Sequence, residues 1–325
     1  MKRVLFIAFL TIVLPAIMII SLQVNAQDLY YPRGIYVVGE SIYVIDSAQV
    51  TARFSFVQQR SIPNTTIRII HKYSLNGQRI DQWEIEGIRR LFSQPLGAIE
   101  IERGQVSFPL DLVVDRMENV YVSDAEALTV QKFDSRGVLI ATFQEPFGYP
   151  GGIAVHVRGT NAYVYVTDDG VKKFSEQGRL LTSWGKRGAE DGQFNSPLGI
   201  AVDENGFIYV VDTGNNRIQK LNRDGEMIWL KGSKGTGDGQ FSVPFDIALD
   251  DAGNIYVTDT GNNRVQKFGT DGRFIKTWGE RGAGSGQFEL PTGIAVHRNE
   301  IYVVDTKNRR IQKFDTNGGF IQQFK

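Results

Sequence analysis

The sequence predicts an all-β fold, a six-bladed β-propeller of four-stranded antiparallel blades, and two observations carry this prediction. A unit of Pro, a spacer, Gly-Ile-Ala-Val-Asp, a turn, Ile-Tyr-Val-x-Asp, a loop and Arg-Ile-Gln-Lys-Phe recurs six times, and the last three intervals between its opening prolines are each 47 residues. Repeats of this period are typical of solenoids and propellers. Each unit also contains four short apolar segments separated by turns, which is the strand content of one propeller blade. The opening prolines are Pro32, Pro109, Pro150, Pro197, Pro244 and Pro291.

The fifth unit shows how each element is predicted. Strands are expected at Asp246–Leu249, Ile255–Thr258, Arg264–Phe268 and Phe274–Trp278, because the segments between them are rich in Gly, Asp and Asn, which tolerate tight turns. The first two strands are apolar without strict alternation, so both of their faces are expected to be buried. Contiguous blades are expected at approximately 32–86, 109–145, 150–186, 197–233, 244–280 and 291–325.

The first 26 residues have the pattern of a targeting segment. Lys2 and Arg3 precede an apolar run from Val4 to Leu22, and Val24-Asn25-Ala26 offers a cleavage site. The sequence therefore predicts a signal peptide at 1–26, a propeller at 27–325, and a secreted or extracytoplasmic location. The alternative is an uncleaved segment that anchors the protein in a membrane, since the apolar run is long enough to span one.

The composition excludes several kinds of site. Without cysteine, the chain has no disulfide, no zinc-thiolate site and no thiol nucleophile. The 36 basic and 36 acidic residues cancel, so nucleic acid is not an expected partner. The three histidines, His71, His156 and His297, fall at different places in their units, which disfavours a shared metal.

The stretch SPLGIAVDENGFIYVVDTGNNRIQKL (196–221) resembles the NHL repeat. The resemblance covers nearly all of the chain after the signal; it is strongest in units four to six and weakest in unit one. It implies a six-bladed propeller, in agreement with the repeat count. The family includes a peptide-amidating lyase, RNA-binding and ubiquitin-ligase proteins, sensor domains of kinases and exported proteins. The amidating lyases carry zinc-binding histidines directly after the repeat prolines, where this chain has none, so a zinc lyase is disfavoured.

An aspartate ends the second strand of every unit, and in the last three units an arginine follows it at a constant offset. Six equivalent acids are expected to be scaffold that accepts hydrogen bonds from backbone N–H groups of the next turn. These aspartates are Asp46, Asp124, Asp168, Asp212, Asp259 and Asp305, and the arginines are Arg217, Arg264 and Arg310.

Candidate binding residues lie where the repeat is interrupted. Asp46 to Lys72 spans 26 positions, whereas Asp259 to Lys267 spans eight, and a second insertion follows Trp83. Both insertions are expected on one face of blade 1, where long loops on a rigid scaffold often bind ligands; tolerated loop growth is the alternative. The insertions contribute Arg53, Phe54, Phe56, Arg89 and Arg90 as candidate ligand-binding residues.

The residues that follow the repeat prolines are expected to form the rim of the central channel on the same face. Arg33, Asp111 and Asp246 are the charged residues among them, and they complete the candidate ligand-binding set. An arginine beside aromatic residues suits the carboxylate of a peptide or sugar. No residue is predicted to be catalytic or to bind a metal.

The function predicted from the sequence is that of an exported, monomeric binding or protein-interaction module that uses this face. The expected ligand is a protein, a peptide or a carbohydrate, and a membrane is expected only through an uncleaved N-terminal segment. One alternative is a metal-dependent hydrolase, lactonase or lyase that uses the channel; another is a structural envelope component. No cofactor is expected, although a divalent cation bound by Asp111 and Asp246 in the channel remains an alternative.

Overall fold

The computed structural model describes residues 31–50, 65–85, 108–143 and 145–324, together with Leu29 and two two-residue strands, Ile7–Ala8 and Ile20–Ser21, which pair with each other. Apart from those four residues, the predicted signal peptide (1–26) lies outside the described residues. Within the described part of the chain, no helix is both long enough and apolar enough to cross a membrane.

Six four-stranded antiparallel sheets follow one another along the chain, which confirms the predicted six-bladed propeller. In each sheet the strands are hydrogen-bonded in their sequence order, from an innermost to an outermost strand. In blades 1 to 3 the strands are Ile35–Val38, Ser41–Val50, Thr65–Ser74 and Arg79–Ile85; Pro109–Val114, Val120–Asp124, Thr129–Phe133 and Leu139–Thr142; and Ile153–Arg158, Asn161–Thr167, Val171–Ser175 and Leu180–Trp184. In blades 4 to 6 they are Ile200–Val202, Ile208–Asp212, Arg217–Leu221 and Met227–Lys231; Pro244–Leu249, Ile255–Asp259, Arg264–Phe268 and Phe274–Trp278; and Pro291–His297, Glu300–Asp305, Arg310–Asp315 and Phe320–Phe324. Two short 3₁₀ turns, Thr213–Asn215 and Thr260–Asn262, follow the second strands of blades 4 and 5.

The hydrophobic core lies between neighbouring blades. Each core cluster combines apolar residues from the inner strands of two adjacent sheets, such as Tyr209 and Val211 of blade 4 with Ile255 and Val257 of blade 5. Because both faces of the second strands are covered in this way, apolar residues occupy consecutive positions in these strands, as in Ile255-Tyr256-Val257. Every second strand also contributes one buried tyrosine, and these are Tyr43, Tyr121, Tyr165, Tyr209, Tyr256 and Tyr302.

The ring closes between blade 1 and blade 6 without an exchange of strands. The sheet of blade 6 consists of its own four consecutive strands, as does that of blade 1. Val37 and Val44 pack in one cluster with Tyr302 and Val304 across the seam. The carbonyl of Arg33 also accepts hydrogen bonds from blade 6, so apolar packing and backbone hydrogen bonds together close the propeller.

The antiparallel order gives the propeller two different faces. The top face, as named here, carries the loops between second and third strands and the connections between blades. The bottom face carries the turns between first and second and between third and fourth strands. The predicted insertions at 51–64 and 87–104 lie outside the described residues, and the strands Ser41–Val50 and Thr65–Ser74 that flank the first of them lead to the top face.

Candidate functional site

The aspartates that end the second strands fasten the top of each blade. In blade 5, Asp259 Oδ1 accepts a hydrogen bond from the backbone N–H of Ser242 at 2.8 Å. Its Oδ2 accepts from Arg264 Nε at 2.7 Å and from Gln266 Nε2 at 3.0 Å. In blade 5 the backbone group thus belongs to the loop that enters the blade, whereas the sequence predicted the turn that follows. The difference arises because the inner strand starts beside the end of the second strand. Blade 2 confirms the predicted contact as well, because Asp124 Oδ1 accepts from Glu126 N and Ala127 N in that turn.

The arginine of this cluster is fully engaged as well. The other two guanidinium nitrogens of Arg264 donate to the backbone carbonyls of Thr236, Gly237 and Gln240 in the connection from blade 4. Arg217 and Arg310 repeat the arrangement in blades 4 and 6. Since these donors are already used inside the protein, the repeated cluster holds the connections between blades and leaves no free group for a ligand.

The central channel is almost closed at its top. The starts of the innermost strands surround a cavity that offers about 10 Å³ to the centre of a water-sized molecule, which is room for about one water. The lining is tight because glycines allow the strands to approach: a Cβ on Gly199 would lie 2.5 Å from the Cα of Asp246. The lining residues are Arg33, Gly34, Leu110, Asp111, Gly151, Gly152, Leu198, Gly199, Phe245, Asp246 and Gly293.

Asp111 and Asp246 stand in this ring where other blades have glycine. Asp246 accepts hydrogen bonds from the backbone N–H groups of Ile247 at 2.8 Å and of Ile294, in blade 6, at 2.9 Å. Asp111 accepts in the same way from Leu112 at 2.8 Å and from Ile153, in blade 3, at 3.1 Å. Each carboxyl group therefore joins its own blade to the next one.

Burial perturbs both carboxyl groups. Burial raises the pKa of Asp246 to about 7. Burial and, next, the charge of Asp246 raise the pKa of Asp111 well above its usual range. Two acids with raised pKa values in a narrow channel resist being ionised together, so the ring tends to hold a proton near neutral pH.

Arg33 lies at the mouth of the same cavity against aromatic rings. Its guanidinium carbon is 4.2 Å from the ring centroid of Phe108 and 5.1 Å from that of Tyr31. Burial lowers the pKa of Arg33, while the nearby Tyr31 and Tyr149 act in the opposite direction. Within the described ranges, no residue forms a hydrogen bond or an ion pair with this guanidinium.

The structure brings together three of the eight predicted ligand-binding residues: Arg33, Asp111 and Asp246 line one cavity. The other five, from the two insertions, lie outside the described residues, and these are Arg53, Phe54, Phe56, Arg89 and Arg90.

Sequence reasoning missed the aromatic neighbours of Arg33. Tyr31, Phe108 and Tyr149 each directly precede a repeat proline, whereas units four to six have Ser, Val and Leu at that place. This contrast between the two halves of the chain was the available signal.

The histidines lie apart from the channel mouth. His71 is buried in the third strand of blade 1, with Nε2 3.5 Å from Asp46 Oδ2. His156 and His297 lie near the bottom ends of the innermost strands of blades 3 and 6. Among the residues that the structure describes, no three His, Cys, Asp or Glu side chains are grouped so as to hold a metal ion.

Comparisons with known proteins agree with this architecture. Residues 194–221 match the family model of the NHL repeat, and residues 240–325 match a family described as a 6-bladed beta-propeller. The chain is therefore a six-bladed β-propeller that contains a match to the NHL repeat at residues 194–221. A search of the curated proteins finds no match.

Several solved structures share the fold at low sequence identity. A catalytically inactive virginiamycin B lyase from Staphylococcus aureus with quinupristin superposes with a TM-score of 0.58 at 13% identity, over 92% of this chain and 86% of that chain. A nidogen/laminin complex gives 0.57 at 17% identity, over 78% of this chain and 89% of that chain. A protein of unknown function from Bacteroides thetaiotaomicron VPI-5482 gives 0.60 at 15% identity, over 88% and 69%. These likenesses show the fold, and a fold of this kind hosts both enzymes and binding proteins.

Proposed function

We propose that the protein is an exported binding module that uses the top face of the propeller to hold an anionic group of a peptide, protein or carbohydrate. The observation that carries the proposal is the guanidinium of Arg33, which lies against Phe108 and Tyr31 and has no partner within the described part of the chain. A guanidinium presents several N–H donors in one plane, which matches the two oxygens of a carboxylate.

The surroundings of Arg33 favour binding because they hold it in place before a ligand arrives. Its backbone carbonyl accepts hydrogen bonds from Gly293 N at 2.9 Å and Thr292 Oγ1 at 3.0 Å, at the seam between blades 1 and 6. The aromatic contacts restrict the side chain in turn. A preorganised arginine loses less conformational entropy on binding than a freely moving one.

The size of the channel decides where the ligand lies. A cavity with room for about one water does not admit a sugar ring or a peptide side chain, so the ligand is expected across the channel mouth. Tyr31 and Tyr149 are 41% and 46% exposed there and offer flat surfaces beside the charge. The predicted loops at 51–64 and 87–104 remain part of this proposal, because the sequence assigns them to the same face.

The test measures binding of carboxylate probes by calorimetry. The probes are glucuronate and a set of N-acetylated tetrapeptides with free C-termini, each peptide compared with its C-terminally amidated form. We expect binding that requires the carboxylate, and we expect Arg33→Ala to weaken it by about 1–3 kcal/mol, the scale of a hydrogen bond to a charged group.

Arg187→Ala is the matched control, because Arg187 is an exposed arginine in a connection between blades on the top face, and no cation–π contact of its guanidinium occurs within the described residues. It should bind like the wild type. Equal affinity of wild type and folded Arg33→Ala for every probe would refute the proposal.

The second candidate is an enzyme that uses the channel. The raised pKa values of Asp111 and Asp246 favour it, because such pairs of carboxyl groups often serve in acid–base chemistry. These two carboxylates are also the groups that would hold a divalent cation. Both already accept two backbone hydrogen bonds, and the cavity is too small for a substrate, so binding is preferred. Metal analysis of the purified protein, with Asp246→Asn as the comparison, distinguishes the two: a stoichiometric metal lost in the variant would favour the enzyme.

A further inference from the structure

The bottom face carries a repeated cluster of a tyrosine, a lysine and an acid. In every blade a lysine of the third strand lies over the ring of the buried tyrosine, at 4.8 Å for Lys132 and Tyr121 in blade 2. In blades 2, 4, 5 and 6 the tyrosine hydroxyl donates a hydrogen bond to a carboxylate, and the four acceptors are Asp115, Asp203, Asp250 and Glu300. In blades 2 and 6 the acid also pairs with the lysine amine, at 3.6 Å for Asp115 and Lys132 and at 2.7 Å for Glu300 and Lys313.

Blade 3 lacks this acid. His156 occupies the position of Asp115, Asp203 and Asp250. Lys173 still lies over aromatic rings, at 4.3 Å from the centroid of Tyr163 and 5.3 Å from that of Tyr165. In the part of the chain that the structure describes, neither Lys173 Nζ nor the hydroxyl of Tyr165 forms a hydrogen bond or an ion pair.

Blade 6 shows that the loss of the aspartate is compensated elsewhere. His297 replaces the aspartate there too, but Glu300, which pairs with it across the strands, accepts from Tyr302 Oη at 2.8 Å and lies 2.7 Å from Lys313 Nζ. The residue of blade 3 that pairs with His156 in the same way is Tyr163, which has no charge. In blade 3, therefore, a histidine replaces the aspartate and no glutamate takes over the role of the missing acid.

The neighbours of Lys173 add positive charge. Arg158 lies two residues beyond His156 on the same face of the strand, and Arg158 is exposed. Burial and then the charge of Arg158 lower the pKa of Lys173. Burial and then the charge of Lys173 lower the pKa of His156.

Two acids of blade 4 face this cluster and act against the basic groups. Asp203 is already held by Tyr209 Oη at 3.2 Å and by the backbone of Phe207 at 2.9 Å. Asp224 is exposed in a turn. Neither forms a bond to Lys173, so the amine remains available.

We propose that Lys173, His156 and Arg158 form a second binding site, on the bottom face of blade 3, that accepts an oxyanion from outside the chain in place of the missing acid. The oxyanion is a carboxylate or a phosphate. Its position is defined by Asp115 of blade 2 and Glu300 of blade 6, which contact both the lysine amine and the tyrosine hydroxyl. This site is independent of Arg33, which lies on the opposite face.

The experiment supplies the missing acid within the chain. His156→Asp recreates the cluster of blades 2, 4 and 5, and Tyr163→Glu recreates that of blade 6. Calorimetry with inorganic phosphate and with a hexaglutamate peptide should show that both variants bind at least about tenfold more weakly than the wild type, because their own carboxylate occupies the site. Lys173→Gln should lose binding to a similar extent.

Lys313→Gln is the matched control, since Lys313 is already neutralised by Glu300, and its affinity should equal that of the wild type. Binding of both probes supports a site for small oxyanions, and binding of hexaglutamate alone supports docking of an acidic peptide. The proposal is overturned if the wild type binds neither probe, or if folded His156→Asp and Tyr163→Glu bind as well as the wild type does.

Discussion

Replacing Asp259 by alanine tests whether the repeated aspartate is scaffold. The carboxylate is completely buried and accepts four hydrogen bonds, from Ser242 N, Asn262 Nδ2, Arg264 Nε and Gln266 Nε2. The substitution leaves the charge of Arg264 buried without its counter-ion, although three backbone carbonyls still accept from that guanidinium. Breaking one partner of a buried ion pair costs about 3–5 kcal/mol, so we expect a loss of that size in the free energy of unfolding.

Urea denaturation followed by tryptophan fluorescence measures this loss. Asp251→Ala is the matched control, because Asp251 is an exposed aspartate in a turn of the same blade; we expect it to change stability by less than about 0.5 kcal/mol. Binding of the carboxylate probes should be the same in both variants as long as they are folded. If Asp259→Ala is as stable as the control, or if it stays stable and loses ligand binding, the assignment to the scaffold is wrong.

Two further changes test the channel. The wild type should lose stability as the pH rises from about 4 to about 7, at up to about 1.4 kcal/mol per pH unit. The reason is that folded Asp246, with a pKa of about 7, keeps a proton that the unfolded chain has released. Asp246→Asn should reduce this loss. Denaturation curves across this range check it, and parallel curves for the two proteins would contradict it. Gly199→Ala should destabilise the fold by about 1–3 kcal/mol, because its Cβ would meet the Asp246 backbone at 2.5 Å. Gly237→Ala, whose Cβ would meet only the flexible side chain of Gln240, should cost less, and an equal cost would show that the inner ring is not tightly packed.

The sequence was sufficient for the blades because each repeat contains the information for one sheet. Apolar segments and turn residues recur within every unit, and the order of strands in a blade follows the chain. The scaffold role of residues such as Asp259 could also be predicted, since a group present in every repeat is needed by every repeat. Even there, the partner in the loop that enters the blade was missed, because that contact depends on where the next strand starts.

The sites depend on contacts that no single repeat contains. Arg33 has an aromatic environment because Tyr31, Phe108 and Tyr149 come from three successive units, and radial closure brings their first residues to one channel mouth. Asp111 and Asp246 likewise interact only because their blades lie across the ring from each other. The sequence by itself determined the number of blades, their strands and the repeated scaffold, because these follow from local periodicity. Only the tertiary structure decided how narrow the channel is, which residues surround Arg33 and which lysine lacks its acid, because these properties depend on the distances between blades.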